Sequence, residues 1–375
     1  MPEFIPVSEP LLAGNEAAYV NDCVTSGWIS SAGDYLARFE AGMAALCNVA
    51  HGVACANGTA ALHLACAALD LRPGDEVICP SFSIISTANS IVAAGATPVL
   101  VDVEPDTLCL DPAAVARAIT PRTKAIMPVH MYGHPADMDP IMDLAQAHGL
   151  YVIEDAAQVH GGGYKERPLG GIGHMGCFSF FANKLITTGE GGMVVTDDAD
   201  LARRLRLLRN LAHGPRRFEH FEFGFNYRLT NMQAALGLAQ LERLAATKAR
   251  KAAIGDRYNR NLGDLGQITL YWGRHRAHAQ PVMWMYCLLL PAGSDRDGFM
   301  VRLKERGVDS RAFFLPMHEQ PLYSGQKPGL PDLRGHFPVS AEAGRRGLYL
   351  PSGAGLSDDQ VDRASQALRD LLARG

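Results

Sequence analysis

A lysine and an acidic pair have the residue types and positions that could do chemistry. Lys184 follows the apolar run CFSFF (177–181), and Glu154 and Asp155 end the run YVI (151–153). Runs rich in β-branched and aromatic residues predict buried strands. An ammonium beside such a run is partly desolvated, which lowers its pKa and suits an amine that forms a Schiff base. The alternative is a strand-end lysine whose ammonium reaches water.

An anion-binding joint is predicted upstream, in HGVACANGTAALHLACAALDL (51–71). The first residues predict a strand and the alanine- and leucine-rich remainder a helix, joined at residues 57–59. The first N–H groups of a helix are free and lie at its positive end, so they suit a phosphate. A Gly-Thr joint is common when taken alone. With Lys184, and with Asp155 to hold a pyridine nitrogen protonated, it completes the three parts that a pyridoxal phosphate enzyme requires.

Four segments closely resemble the DegT/StrS aminotransferases, which aminate nucleotide-linked keto sugars. The segments are FSFFANKLITTGEGGM, TSGWISSAGDY, KAIMPVHMYGHPADM and GFNYRLTNMQAALGLAQLE. The resemblance extends over nearly the whole chain. It implies the fold-type-I architecture, pyridoxal 5'-phosphate as cofactor and glutamate as amino donor, giving 2-oxoglutarate. The implied substrate is a nucleotide-linked 4-keto-6-deoxy sugar, namely GDP-4-keto-6-deoxy-mannose aminated at C4.

The same resemblance implies a role for each residue of the cofactor site. Lys184 would hold the cofactor and move the proton, Asp155 would pair with the pyridinium nitrogen, and Gln158 would donate to the phenolic oxygen. The phosphate contacts are expected from Gly58, Thr59, Ser179 and, across a homodimer, Asn226 of the neighbouring subunit. Each has a plainer alternative: a strand-end cap for Asp155, a loop amide for Gln158, a strand hydroxyl for Ser179 and a helix-start signal for Asn226.

The sequence departs from the family pattern at Ile84, where an aromatic residue commonly stacks on the pyridine ring. Isoleucine packs on a ring face but does not stack, so Ile84 is expected to be only a weak cofactor contact. The candidates for the sugar nucleotide are Trp28, Tyr132, Trp284, Tyr286, Arg311, Phe313 and His318. Arg311 suits a pyrophosphate by its charge. The aromatic candidates are equally compatible with core positions, and Trp28 with anchoring of the N-terminal arm.

The 375 residues predict an α/β protein with two domains, 1–248 and 249–375. The large domain is expected to hold a mixed, mostly parallel seven-stranded sheet, and the smaller C-terminal domain is expected to be α+β. The predicted strands are 52–56, 76–79, 98–102, 124–130, 150–154, 177–181 and 192–196. The predicted helices between them are 59–69, 84–94, 111–119 and 137–148. Ligands of such sheets gather at the carboxyl ends of the strands, where Asp155 and the 57–59 joint both fall.

Composition excludes several classes of protein. A formal charge of −4 argues against a nucleic-acid partner, and no apolar stretch is long enough to span a membrane. The N-terminus lacks the basic start of a signal peptide, and the eight cysteines form no CxxC pair, so a cytoplasmic protein without disulfides is expected. No metal site is expected, since Gly133 and Pro135 keep His130 and His134 off a common helix face. The six lysines other than Lys184 are expected to be solvated.

Three other functions compete with the leading one. The nearest is the same chemistry on a dTDP- or UDP-linked sugar, or at C3. Another is a dehydratase, but members of that kind replace the Schiff-base lysine, commonly with histidine. The last is a non-catalytic regulator on the same scaffold, against which Lys184, Asp155, Gln158 and Ser179 all argue.

Overall fold

A large mixed sheet and a smaller antiparallel sheet organise the chain, and both place their strand ends around one cavity. The computed structural model describes residues 4–216 and 218–373. The strands are β1 (His51–Cys55), β2 (Glu76–Pro80), β3 (Thr97–Val101), β4 (Thr123–Ile126), β5 (Tyr151–Asp155), β6 (Gly163–Tyr164), β7 (Arg167–Pro168), β8 (Met175–Ser179), β9 (Gly192–Thr196), β10 (Thr269–Leu270), β11 (Ala279–Gln280), β12 (Tyr286–Leu289), β13 (Arg311–Ala312) and β14 (Gly347–Leu350).

The α-helices alternate with these strands in the first half of the chain and pack around the small sheet in the second. They are α1 (Glu16–Ser26), α2 (Asp34–Leu46), α3 (Gly58–Ala68), α4 (Ser86–Ala93), α5 (Pro112–Ala118), α6 (Met138–His148), α7 (Ala199–Arg209), α8 (Asn231–Glu242), α9 (Leu244–Leu262), α10 (Arg296–Glu305), α11 (Pro338–Arg346) and α12 (Asp358–Leu372).

The large sheet has seven strands in the order β1-β9-β8-β5-β4-β2-β3. Only β9 runs against its neighbours β1 and β8, and the other four pairs are parallel. Its side chains alternate between two buried faces: Val53 belongs to the core that includes α3, α4 and α7, and Ala54 to the core that includes α2, α6 and α8. Burial on both faces explains why the strands read as continuous apolar runs. The predicted mixed, mostly parallel sheet is confirmed.

The C-terminal part is built on a four-stranded sheet in the order β10-β12-β14-β13, with antiparallel pairing throughout. Its core includes an apolar face of the last helix, with Val361, Ala364 and Leu368 fully buried. That helix begins with a capping box between Ser357 and Gln360. The predicted α+β organisation is confirmed, whereas the boundary at 248/249 stays a prediction, since α9 runs through it without a break.

All seven predicted strands of the large sheet are present; β9 has the predicted ends, and the other six differ at one or both ends. The largest difference is at β4, which stops at Ile126 and not at residue 130. Pro128 has no N–H to donate to a ladder, which ends regular pairing there. In the C-terminal part, the edge strand β13 is short, since only Arg311 and Ala312 pair in the sheet. All eight cysteines are buried and free. Within the described residues, no helix is long and apolar enough to cross a membrane.

Candidate active site

A cavity of about 740 Å³ opens at the carboxyl ends of β5 and β8 and the start of α3. The small sheet closes its far side through residues next to β12 and β13. Nine of the predicted site residues line it: Gly58, Thr59, Ile84, Asp155, Gln158, Ser179, Lys184, Trp284 and Arg311. The chain thus brings the lysine, the strand-end carboxylate and the helix-start joint into one space, although they are far apart in sequence.

Lys184 lies in the turn that follows β8, where its N–H donates to the carbonyl of Phe181 at 2.9 Å. Its Nζ lies 3.7 Å from the centre of the Trp284 ring. Burial lowers the pKa of Lys184 to about 7, and the charge of Asp155 acts against that fall. At neutral pH this amine therefore exchanges a proton readily, as an exposed lysine would not.

Asp155 ends β5 and is only 2% exposed. Its two hydrogen bonds are long: the Thr87 hydroxyl donates at 3.4 Å and the Ala157 N–H at 3.3 Å. Burial raises the pKa of the Asp155 carboxyl, although these donors and the charge of Lys184 act in the opposite direction. A buried carboxylate held by two weak bonds keeps acceptor capacity toward the cavity, which suits a cationic N–H donor.

The neighbouring Glu154 points away from the cavity into a complete set of donors. It accepts hydrogen bonds from His130 Nε2 at 3.0 Å and from the N–H groups of Gly170, Ile172 and Gly173 at 2.8, 2.8 and 2.6 Å. Burial acts to raise the pKa of Glu154, but these donors outweigh it and lower the pKa below its usual value. Glu154 therefore anchors the end of β5, and with it the carboxylate of Asp155.

The helix-start joint has the geometry of an anion cradle. The Asn57 side chain caps α3 by accepting from the Ala60 N–H at 2.8 Å, which leaves the first N–H groups, those of Gly58 and Thr59, at the cavity wall. A Cβ at Gly58 would lie 2.6 Å from the Cβ of Ser179. Glycine at residue 58 therefore lets the backbone approach Ser179 closely, so that N–H groups and a hydroxyl converge on one point.

Gln158 is oriented by the backbone of Tyr132. Its Oε1 accepts from the Tyr132 N–H at 2.6 Å, and the side chain is 2% exposed. Since the oxygen is engaged, the NH₂ group remains to face the cavity. Tyr132 adopts a left-handed conformation with φ of 50°, and a Cβ on the next residue, Gly133, would lie 1.8 Å from the Val282 carbonyl oxygen. This tight turn fixes the position of the Tyr132 N–H, which is the donor that orients Gln158.

Ile84 and Arg311 lie toward the mouth of the cavity. Ile84 is 43% exposed, so an apolar side chain faces the opening where the family pattern has an aromatic ring. Arg311, on the edge strand β13, is exposed and places a guanidinium at the rim. The rim thus combines an apolar surface with a fixed positive charge.

Six predicted residues lie outside the cavity walls: Trp28, Tyr132, Asn226, Tyr286, Phe313 and His318. Trp28 is 61% exposed and Asn226 is exposed, so neither reaches the cavity of its own chain. Tyr132 is buried behind the wall and acts through its backbone N–H on Gln158. For these three the predicted substrate or cofactor contact stays untested.

The other three face protein cores. Tyr286 is fully buried, stacks on Tyr258 and donates to Asn259 Oδ1 at 2.8 Å, so it has no surface to offer a ligand. Phe313 packs against Phe82 and Tyr132, and strand alternation turns the next residue toward the cavity instead. His318 Nδ1 is 2.6 Å from the Ser81 hydroxyl in a buried contact. These placements give no support to the predicted substrate contacts.

Sequence reasoning missed several polar residues of the wall and one buried lysine. The missed wall residues include His63, Ser86, Asn89, Asn183 and Tyr227. His63 could have been predicted from the sequence, because it lies one helical turn after Thr59 on α3 and therefore on the same helix face. Lys251, expected to be solvated, is 4% exposed and donates to the Ser352 carbonyl at 2.6 Å, so that expectation was wrong. Its helix α9 packs against the C-terminal part, which a pattern of charged residues does not reveal.

Comparison with known proteins decides the family. The model of the DegT/DnrJ/EryC1/StrS aminotransferase family matches residues 10–369. The chain belongs to this family. A GDP-perosamine synthase of Caulobacter vibrioides is 46% identical, with 98% of each chain covered. A UDP-N-acetyl-3-dehydro-alpha-D-glucosamine 3-aminotransferase of Acidithiobacillus ferrooxidans is 43% identical over 89% of this chain and 87% of the relative.

The solved structures agree with the family assignment. The crystal structure of DesI, determined in the presence of its TDP-sugar product, superposes with a TM-score of 0.91 at 33% identity, covering 100% of this chain and 94% of that one. The chain is therefore a pyridoxal phosphate-dependent aminotransferase of the DegT/DnrJ/EryC1/StrS family, with the expected fold-type-I architecture.

The cavity of this family member fits pyridoxal phosphate by three independent features. Asp155 keeps an acceptor free for a ring N–H, the Gly58 backbone packs where a Cβ would collide with Ser179, and Lys184 has an amine whose pKa is lowered to about 7. The three belong to different elements, β5, α3 and the turn after β8. Their convergence on one cavity matches a cofactor with a basic ring, a phosphate and a carbonyl.

Proposed function

We propose that this enzyme transfers the amino group of glutamate to the C4 keto carbon of GDP-4-keto-6-deoxy-D-mannose, giving GDP-perosamine and 2-oxoglutarate. The observation that carries the proposal is the 46% identity over 98% of both chains with a GDP-perosamine synthase. The cavity supports it, since Lys184 and Asp155 provide the amine and the carboxylate that transamination requires. About 740 Å³ is large enough for a cofactor together with part of a sugar nucleotide.

The proposed mechanism assigns the proton transfers to Lys184. Pyridoxal phosphate, when bound, supplies the carbonyl that accepts nitrogen and a ring that takes up the electron pair of a broken bond. With the cofactor bound, Lys184 Nζ would accept the proton from Cα of glutamate, and its protonated form would then be the donor of that proton. For the second half, the same amine moves a proton to C4 of the sugar. A pKa of about 7 suits both directions, since neither form of the amine is strongly favoured at neutral pH.

The other residues hold the reactants in place. Asp155 would accept the ring N–H, and the NH₂ of Gln158, oriented by Tyr132, would donate to the phenolic oxygen. The N–H groups of Gly58 and Thr59 with the Ser179 hydroxyl would bind the phosphate. These contacts would hold the cofactor ring in place, so the amine of Lys184 is the group that has to move.

Arg311 is proposed to meet the pyrophosphate of the sugar nucleotide. It is exposed at the cavity rim, about where a large ligand would leave the enclosed part of the site. A guanidinium in that place binds phosphate oxygens in a bidentate manner, which lysine does not reproduce. The other predicted substrate residues are less well supported by their placement.

We also propose that the enzyme works as a homodimer with shared sites. Asn226 is exposed and lies outside the cavity of its own chain, in a segment that carries the exposed aromatic residues Phe221 (72%) and Phe223 (83%). Exposed aromatic side chains grouped on one segment are typical of an interface. A second copy of the chain would cover them and place Asn226 at the partner's phosphate site.

Eight free, buried cysteines fit the proposed cytoplasmic location.

A rival substrate deserves direct comparison, because a 43% identical relative is named for a UDP-linked 3-keto sugar and a similar structure holds a TDP-sugar product. The experiment offers purified enzyme glutamate and a panel of GDP-, dTDP- and UDP-linked keto sugars. Formation of amino sugar is followed by mass spectrometry. We expect the GDP-linked 4-keto-6-deoxy sugar to have the highest kcat/KM. Preference for a dTDP- or UDP-linked sugar would refute the substrate while keeping the reaction class.

A further inference from the structure

Trp284 was predicted to contact substrate, and in the structure its ring lies against the amine of Lys184. The Lys184 Nζ lies 3.7 Å from the centre of the indole ring. Trp284 itself is 3% exposed. A cation at this distance over a tryptophan face is attracted by the ring quadrupole, more strongly when both are removed from water.

The indole is held in place by contacts on other sides. Its Nε1 donates to the carbonyl of Asn183 at 2.9 Å, the residue just before the lysine. The ring of Tyr132 stacks on it with centroids 6.0 Å apart and planes at 20°. The same turn that orients Gln158 therefore also supports the surface on which the amine of Lys184 rests.

We propose that Trp284 is a positioning residue, whose indole face holds the protonated amine of Lys184 whenever that amine is not covalently engaged. This rests on the proposed function, in which Lys184 must be released and must then carry a proton. A free lysine has four rotatable bonds, so an amine without a resting place would sample many positions. The indole restricts it to one, with the Nζ 3.7 Å from the ring centre.

The other groups facing Lys184 do not provide that resting place. Asp155, at the end of β5, attracts the ammonium by charge, but its acceptor capacity is assigned to the cofactor ring. His160 is fully buried among Phe178 and Phe180, and burial lowers its pKa to about 3, so it is neutral. Glu190 and Arg311 also line the cavity. The indole is the neighbour in direct contact with the amine.

The first test measures the pKa of Lys184 itself. The full-length enzyme is saturated with pyridoxamine 5'-phosphate, which leaves the Lys184 amine free, and is labelled competitively with an acylating reagent between pH 6 and 10. Peptides carrying Lys184 are quantified by mass spectrometry. In Trp284→Leu, loss of the ring face destabilises the protonated form, and we expect the pKa to fall by about one unit. Trp284→Phe keeps an aromatic ring face, so the pKa of Lys184 should fall less in that variant.

Two controls separate this effect from general disruption. Lys251 is a buried lysine on α9 whose pKa burial also lowers to about 7, so its titration in the same samples should stay unchanged. Trp272→Leu removes a tryptophan outside the cavity walls and should leave Lys184 as in the parent. Any of three results would overturn the proposal. The pKa of Lys251 could change in parallel, the pKa of Lys184 could stay unchanged or rise in Trp284→Leu, or the pKa of Lys184 could fall equally in both Trp284 variants.

A kinetic test distinguishes positioning from substrate contact. If Trp284 positions the amine, Trp284→Leu lowers kcat about tenfold or more and leaves the KM for the keto sugar within about twofold. A rise in KM with kcat retained would mean that Trp284 binds substrate, which overturns the proposal. The labelling result does not depend on turnover. If the panel of keto sugars fails while Lys184 shifts as expected, the substrate assignment falls and the Trp284 contact stands.

Discussion

At the scale of single residues, Lys184 is governed by two opposing influences. Burial disfavours its charged form, and the charge of the Asp155 carboxylate favours it. Burial prevails, and the pKa settles at about 7. Because the amine is close to half protonated at neutral pH, the same side chain can accept a proton in one step and donate it in the next.

The pH dependence of turnover follows from this balance. Below its pKa the amine of Lys184 carries a proton and cannot accept one from glutamate. We therefore expect kcat of the glutamate half-reaction to fall about tenfold per pH unit below 7 and to level off above it. Stopped-flow absorbance at saturating glutamate measures this rate. A rate that stays constant from pH 6 to 8 would contradict the assignment of Lys184 as the proton acceptor.

At the scale of elements, the end of β5 is held by a residue that does no chemistry. Glu154 alternates with Asp155 on the strand, so one side chain faces the cavity and the other faces the opposite way. Three backbone N–H groups between Gly170 and Gly173 and one histidine, His130, donate to Glu154. This carboxylate ties β5 to the loop before β8. Both strands, β5 and β8, lead to cofactor residues.

Glu154→Gln should destabilise the enzyme markedly. The amide keeps one acceptor oxygen and points an NH₂ group at backbone N–H donors, which leaves buried donors unpaired at a cost of about 3 kcal/mol. Thermal unfolding at saturating pyridoxal phosphate should show a midpoint several degrees lower. Glu166→Gln, on an exposed turn, is the matched control and should leave the midpoint unchanged. Equal midpoints for the two variants would show that the Glu154 contacts are dispensable.

The elements and the reactive residues were largely readable from sequence, whereas long-range packing was not. Strands such as β5 and β8 are apolar on both faces, and a lysine or carboxylate at their ends stands out. Phe313 was a substrate candidate from the resemblance to the family. Alternation along a strand allows either of two registers, and only its contacts with Phe82 and Tyr132 show that it faces the core. Likewise, nothing in the sequence around Lys251 indicates that the segment at Ser352 covers it.

At the scale of the whole molecule, the site combines contributions from distant parts of the chain. The large sheet provides Asp155 and Lys184, and the C-terminal part closes the cavity with Trp284 and Arg311. Asn226 lies outside that cavity, which under the proposed dimer means that each site takes this residue from the partner copy. A single chain would then hold an incomplete phosphate site, and activity would depend on assembly.

Subunit mixing tests this dependence. Lys184→Ala and Asn226→Ala dimers should both be nearly inactive, since each damages both sites of its own dimer. When the two are mixed and allowed to exchange, each hybrid dimer holds one site with both defects and one site with neither. With half the dimers hybrid, we expect about a quarter of wild-type activity. Mixing Lys184→Ala with Asp155→Asn is the control, because both lie in the same cavity and no hybrid site is intact. No recovery with Asn226→Ala would place Asn226 outside the partner's site, and recovery in the control would show that Lys184 and Asp155 do not act in the same site.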